Sequence, residues 1–255
     1  MSDIRSRIER ALNAAVEALE PFTSGRVEEL RKTGGDPVTE ADLRVDAALR
    51  DILPRPGEGW LSEETADDGA RLDCSEVWIV DPLDGTREFV DGTPEWCVSI
   101  GYVVDGVPVA GGVAAPCRDL RIVGDESGVQ VTGGALVPQS NGLAGALVLA
   151  SRSEVRRGEW AEVFSTPVSV RNMGSVALKL AMVGAGMADA TWTLVPKNEW
   201  DVAGGAAIVR AAGGVTVTPD GEPVVFNRRD PLLPGFVACR KELEEPVLEL
   251  ISQLG

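Results

Sequence analysis

The stretch from Cys97 to Val131 constrains most strongly what this chain can become. Val98, Ile100, Tyr102 and Val104, then Val107 to Val113, then Leu120 to Val123, read as successive strands, and Asp105-Gly106 supplies a hairpin turn between the first two. Elements on either side read differently. Ile4, Ile8, Ala11, Leu12, Ala15 and Leu19 recur at helical spacing, so the chain opens with an amphipathic helix. A second helix begins near Thr39. There Thr39-Glu40-Ala41-Asp42 resembles a capping box with Asp in place of Glu, and Leu43, Ala47 and Leu49 follow before Pro54 stops it. Val77-Trp78-Ile79-Val80 is a short apolar run ended by Asp81-Pro82 and reads as a buried strand.

The Gly-, Pro- and Asn-rich segment around 132–145 is the best internal boundary, dividing the chain into halves 1–140 and 141–255. Beyond it strands and helices alternate: 147–150 as strand, 154–164 and 175–185 as helices, 190–194 as strand, then 202–212 and 242–254 as helices. This is an α/β chain in two halves, with no βαβ repeat running from end to end.

Composition excludes several chemistries. The 255 residues include no histidine, which rules out Ser-His-Asp and Cys-His catalysis and imidazole-ligated metals. Any proton transfer must run through carboxylates, hydroxyls or metal-bound water. The 40 Asp+Glu against 24 Lys+Arg, a formal charge of -16, lack the basic footprint of a nucleic-acid or anionic-membrane surface. Cys74, Cys97, Cys117 and Cys239 form no C-x-x-C pair and read as reduced thiols of a cytoplasmic protein. The charged N-terminal segment lacks the apolar core of a signal peptide. The longest uncharged run, Ser127 to Ser151, is broken by glycines, Pro138 and Asn141, which argues against a spanning helix.

Three acidic segments carry the chemistry: Trp60-Leu61-Ser62-Glu63-Glu64-Thr65, Asp81-Pro82-Leu83-Asp84-Gly85-Thr86-Arg87-Glu88-Phe89, and Trp200-Asp201-Val202-Ala203-Gly204-Gly205. Asp81 ends a buried strand, Asp84 lies one turn further on, and Gly85 lets an anion approach the backbone. A helical turn beginning at Thr86 would aim N–H groups at that anion. Two unit charges about 4 Å apart repel by about 4 kcal/mol at an effective dielectric near 20, so clustered carboxylates imply a bound cation or raised pKa values. An all-oxygen donor set favours Mg²⁺ or Mn²⁺. Each piece alone also has a plain reading: a turn at Asp81-Gly85, a solvated pair at Glu63-Glu64, a helix N-cap at Asp201.

Taken together and in this order, the segments resemble the inositol monophosphatase-like superfamily of Mg²⁺-dependent, Li⁺-sensitive phosphatases. Gly35-Asp36-Pro37-Val38-Thr39-Glu40-Ala41-Asp42 matches the family's upstream signature, and Gly174-Ser175 before the helix bearing Lys179 fits it too. The resemblance covers nearly the whole chain. It implies a layered α-β-α-β-α sandwich with the site between the halves. One metal would be held by Glu63, Asp81 and the Leu83 carbonyl, and a second by Asp81, Asp84 and Asp201. A third, weaker ion would sit near Glu63 and Asp36. Mg²⁺ would occupy two or three positions, Mn²⁺ could substitute, and Li⁺ would inhibit. Phosphate would rest on Gly85 and Thr86, with Thr86, and Asp42 behind Thr39, orienting or deprotonating the attacking water; Ser175, Lys179 and Asp201 would face the substrate. For Thr39 and Asp42, helix capping is an equal reading.

Inositol-specific relatives carry an acidic residue seven places before the third segment's Asp; here that place is Leu194, which cannot accept a polyol hydrogen bond. Asp84-Gly85-Thr86-Arg87-Glu88-Phe89 is similar to the bacterial bisphosphate nucleotidases, which remove the 3′-phosphate of 3′-phosphoadenosine 5′-phosphate. Ser151-Arg152-Ser153 is similar to their Ser-Arg-Ser-His segment, with Glu154 in place of the histidine. Lys179, Arg152 and Lys197 are candidate cations for a second phosphate. The leading reading is a bisphosphate nucleotidase acting on a small phosphorylated metabolite, as a monomer or homodimer. The alternatives are an inositol or sugar-bisphosphate phosphatase and a catalytically idle metal-binding relative.

Overall fold

The computed structural model of the chain describes residues 3–27, 30–31, 37–137 and 139–254. Helix α1 (Asp3–Leu19) buries Ile8, Ala11, Leu12, Ala15 and Leu19 on one face, as their spacing requires. Helix α2 (Glu40–Ile52) starts at the Thr39 cap with both bonds of the capping box formed. The next strands are β1 (Gly59–Ser62) and β2 (Glu76–Asp84). The short helix α3 (Thr86–Val90) leads to β3 (Cys97–Val104) and β4 (Val107–Ala115). Strands β5 (Leu120–Asp125) and β6 (Gly128–Thr132) follow. These six strands form one sheet in chain order, parallel between β1 and β2 and antiparallel elsewhere. Strand β6 lies in the strand-rich stretch but was not among the strands the pattern singled out; its residues are half-exposed, so its alternation is faint.

The second sheet holds β7 (Leu147–Ser151), β8 (Ser169–Met173), β9 (Ala190–Thr193), β10 (Val215–Val217) and β11 (Phe236–Cys239). Their order is β8-β7-β9-β11-β10. Between these strands come α4 (Arg152–Arg157), α5 (Val176–Gly184) and α6 (Glu199–Ala211), and α7 (Glu244–Leu254) closes the chain. Trp78 and Val80 of β2 face a core shared with α1 and α2. Val77 and Ile79, on the opposite face, join α5 and α6 in a central core that also takes Leu149, Phe236 and Ala238 from the second sheet. The far face of that sheet packs Val148, Ala190, Trp192 and Val237 against Val247 and Ile251 of α7. The layers are therefore helix, sheet, helix, sheet, helix, the sandwich that the sequence resemblance implies.

Two helices differ from their sequence reading. The helix expected over 154–164 stops at Arg157, because Gly158 caps it in the left-handed region at φ 86°. Helix α6 begins at Glu199, three residues before the expected start, so Asp201 occupies its third position, with Asn198 as the cap.

Helix α6 reaches the first sheet through glycines. A Cβ built on Gly111 of β4 would stand 2.3 Å from the Gly204 carbonyl oxygen, and one on Gly204 would stand 2.9 Å from that of Ile100. Bare backbone is what brings Asp201, at the start of α6, down against β2. Gly111→Ala is expected to destabilise the protein by about 1–3 kcal/mol in urea unfolding, the usual cost of overpacking a filled core. An unchanged midpoint would mean that this contact is looser than the geometry states.

Candidate active site

Strand β2 does not end at Asp81-Pro82, as the sequence suggested, but continues to Asp84 through a bulge. Asp81 pairs with Ser99 and Asp84 with Cys97, so Pro82 and Leu83 oppose Val98 alone. Proline has no N–H to give the ladder and is tolerated at such a place. The extra residue has a second effect. In a regular strand, positions three apart point to opposite faces; one inserted residue restores them to the same side. Asp81 and Asp84 accordingly line one cavity of about 310 Å³, together with Glu63, Leu83, Gly85, Thr86, Arg87, Glu88, Lys197, Asn198 and Asp201.

Carboxylate oxygens of Glu63, Asp81 and Asp201 lie within 4.8 Å of one another. They come from the end of β1, from β2 and from the first turn of α6. Asp81 is 1% exposed, and its Oδ1 accepts from the Leu83 N–H at 3.0 Å. Burial pushes the Asp81 carboxyl well above the usual carboxylate range, and the charges of Glu63, Asp84 and Asp201 add to the shift. Asp201 is raised well above its ordinary value for the same reasons, burial first and then Asp84 and Glu63. Asp201 also accepts from the Asn198 N–H at 3.2 Å, which fixes it to the start of α6.

Asp84 lines this cavity but stands outside the close trio. Its Oδ2 accepts from the Ser175 hydroxyl at 2.7 Å and from the Ala177 N–H. Burial raises Asp84, opposed by the Ser175 bond and the charges of Lys179 and Lys197. The trio thus brings Glu63 to Asp201, residues that the sequence resemblance assigned to different ions. Ser175 does not line the cavity: its backbone sits at φ 57°, rare for a side-chain-bearing residue, and its hydroxyl bonds Asp84 while accepting from the Leu178 N–H. Lys179, expected to face the substrate, is 3% exposed and donates to the Ser175 carbonyl at 2.8 Å. It is a buried cation beside Asp84, and burial lowers its pKa.

Asp42 stands against Thr39, as expected, and also touches Thr86 directly. The Thr86 hydroxyl lies 3.0 Å from Asp42 Oδ1 and 3.1 Å from the Leu83 carbonyl oxygen, either of which accepts its single proton. Asp42 Oδ2 accepts from the Thr39 N–H at 2.7 Å and the Thr39 hydroxyl at 2.6 Å. Burial raises Asp42, opposed by these bonds. Gly85 adopts φ 99°, and a Cβ there would meet the Glu95 carbonyl oxygen at 2.9 Å, so only glycine fits. Gly85 and Thr86 stand at the start of α3, where first-turn N–H groups have no partner within the helix. Asp36 lies outside the described residues.

Arg152 does not line the cavity; it pairs with Glu95, which also accepts from the Gly174 N–H at 2.7 Å. Glu154 is 2% exposed and accepts from Thr193 at 2.7 Å and from the Trp160 indole at 3.2 Å. Its third partner is Lys197, at 3.2 Å, which does line the cavity. Glu199 turns away and accepts from the N–H groups of Asn227 and Arg228. Arg87 and Asn198 also line the cavity without having been singled out; the signal available was their adjacency to Thr86 and to the third acidic segment. Leu194 is half exposed and lies on a separate cavity with Trp160, Trp192 and Ile251.

Asp81, Asp84 and Asp201, each raised by burial and set beside Glu63, need positive charge to ionise together. The donors are all oxygen, so the set fits hard divalent cations. Glu63, Asp81, Asp201 and Asp84, with the Leu83 carbonyl, are the groups that would hold them.

Residues 3–255 match the inositol monophosphatase family model, and the chain belongs to that family. Its relatives include the 3′-phosphoadenosine 5′-phosphate phosphatase of Mycobacterium leprae, 36% identical over 211 residues, covering 78% of this chain and 76% of that protein. The inositol-1-monophosphatase of Synechocystis is 32% identical over 238 residues, 88% of this chain and 82% of its own. Among solved structures, CysQ from Bacteroides thetaiotaomicron, a bacterial member of the family, superposes with a TM-score of 0.77 at 28% identity, covering 93% of this chain and 97% of that one. This chain is a phosphatase of the inositol monophosphatase family. No helix among the described residues is long and apolar enough to cross a membrane.

Proposed function

We propose that this phosphatase hydrolyses 3′-phosphoadenosine 5′-phosphate to AMP and phosphate, using Mg²⁺ held by Glu63, Asp81, Asp84 and Asp201. Mn²⁺ as a substitute and Li⁺ as an inhibitor belong to the same reading. The observation that carries the chemistry is the trio of carboxylates within 4.8 Å beside the Thr86–Asp42 hydrogen bond. The cations, when bound, supply the charge that lets a phosphate enter an acidic cavity and that acidifies water. The chain does the rest. Gly85 and Thr86 present backbone N–H groups to the phosphate. Thr86 donates its hydroxyl proton in a hydrogen bond to Asp42, so that its oxygen can take a proton from the attacking water as its own passes to Asp42, which ends with one net proton.

Substrate choice rests on the cavity wall. Lys197 presents an ammonium there, with Glu154 fixing its position, and Arg87 adds a second cation. Leu194, at the place of the polyol-binding acid, lies outside that cavity. A substrate with a second phosphate gains from this wall and a polyol gains nothing. With Mg²⁺, kcat/KM for 3′-phosphoadenosine 5′-phosphate is expected to exceed that for inositol 1-phosphate, which lacks a second phosphate. Lys197→Met should raise KM for the bisphosphate by about 10–100-fold, the worth of one hydrogen bond to a charged group. Hydrolysis of p-nitrophenyl phosphate, which lacks the second phosphate, should change little. Preference for inositol 1-phosphate would overturn the assignment in favour of the alternative reading.

A further inference from the structure

Helix α2 touches the site twice. Asp42, in its first turn, meets Thr86. Asp46, one turn further on and so on the same helix face, meets a different loop. Asp46 Oδ1 accepts from the Ser62 hydroxyl, and its Oδ2 accepts from the Thr65 hydroxyl at 2.7 Å. The Ser62 hydroxyl in turn accepts from the Glu64 N–H at 3.2 Å. Ser62 and Thr65 flank Glu63, the member of the carboxylate trio that lies beyond the end of β1. Glu63 therefore sits in a short loop with both shoulders tied to one buried carboxylate.

We infer that Asp46 is a positioning residue for metal binding: it holds the Ser62–Thr65 loop so that Glu63 meets Asp81 and Asp201 without first being ordered. Three lines of geometry support this. Asp46 is 9% exposed, so its charge is kept from water for these bonds. Each of its oxygens serves one side of Glu63, which fixes the loop's rotation as well as its distance from α2. The same helix carries Asp42, so the Glu63 loop and the Thr86 turn are registered against one rigid element about 6 Å apart along its axis. Groups that orient metal ligands from behind commonly govern affinity by 10–100-fold while leaving the loaded site's chemistry in place. Loss of Asp46 frees the loop, and ordering it on each binding event weakens the cation's hold.

The inference rests on Glu63 being a metal ligand, and the test separates the two. Mn²⁺ binding to the full chain is measured directly by electron paramagnetic resonance for Glu63→Gln, Asp46→Asn and Thr65→Val. Thr65→Val removes one tie while leaving Asp46 in place, which guards against a misfolded Asp46 variant. Glu63→Gln should weaken Mn²⁺ binding most. Asp46→Asn and Thr65→Val should each weaken it by about 10-fold, with kcat at saturating Mg²⁺ within about 3-fold of the parent. If Glu63→Gln binds Mn²⁺ normally, the ligand assignment fails. If Glu63→Gln weakens binding and neither Asp46→Asn nor Thr65→Val does, Asp46 has no positioning role. A kcat loss at saturating metal with unchanged Mn²⁺ affinity would overturn the inference in the same way.

Discussion

Asp81→Asn is expected to abolish divalent-cation-dependent phosphatase activity, by about 10³-fold or more, and at the same time to make the metal-free protein more stable at neutral pH. The first effect follows from losing one carboxylate of the proposed metal-binding trio, since a cation held there would supply several kcal/mol of charge stabilisation and each 1.36 kcal/mol is tenfold in rate. The second follows from the direction of its titration. Burial and three neighbouring carboxylates raise Asp81 well above its ordinary value of 3.8. Between that ordinary value and the raised one, the folded state binds more protons than the unfolded state. Stability therefore falls as pH rises through this interval, and above the raised value the full penalty remains. Asparagine cannot ionise and escapes it. In EDTA, the parent protein should melt lower at pH 8 than at pH 5, and Asp81→Asn should narrow that difference while melting above the parent at pH 8. Saturating Mg²⁺ should raise the parent's Tm and do much less for the variant. A variant that keeps its activity, or that melts below the parent in EDTA at pH 8, would contradict the metal site proposed here.

The sequence exposed some of this and hid the rest for identifiable reasons. Helix α1 and the Thr39 cap were readable because an amphipathic repeat and a capping box are local, and both are present as expected. Strands β8, β10 and β11 were not singled out; they are short, and their place in the second sheet is fixed by long-range pairing rather than by local pattern. The acidic segments were evident as candidates, but their relation was not. Whether Asp81 and Asp84 share a side depends on a bulge, and a bulge is a matter of pairing with β3. Lys179 looked functional because a lysine stands out in an apolar helix, yet a buried ammonium can serve by balancing Asp84 from behind. Asp46 carried no signal at all: a carboxylate on a helix is ordinary until Ser62 and Thr65 are seen against it.

Asp42→Asn and Thr86→Val are each expected to lower kcat by about 10²–10⁴-fold, the range of a general base, and to leave Mn²⁺ binding unchanged. Thr86 has one proton and two candidate acceptors, Asp42 at 3.0 Å and the Leu83 carbonyl at 3.1 Å. Only the first makes the hydroxyl oxygen a base, because a carboxylate can take the proton and a carbonyl cannot. Asparagine keeps the shape of Asp42 and can keep a bond to Thr39, but it has no basicity. Valine keeps the shape of Thr86 and loses the oxygen. If the two residues act as one unit, the double variant should be about as slow as either single one, since removing the second part of a broken relay costs nothing further. Multiplying losses would mean two separate roles. The pH profile gives an independent sign. Asp42 must be ionised to accept, and burial raises its pKa. Activity should therefore fall with decreasing pH before the ordinary carboxylate range is reached. The capping role of Asp42 predicts something else: a cap lost at the start of α2 costs about 0.5–2 kcal/mol of stability and leaves Thr86→Val, which keeps both Thr39–Asp42 capping bonds, nearly fully active. A fully active Thr86→Val would thus assign Asp42 to the helix alone and leave the attacking water to another carboxylate of the cavity.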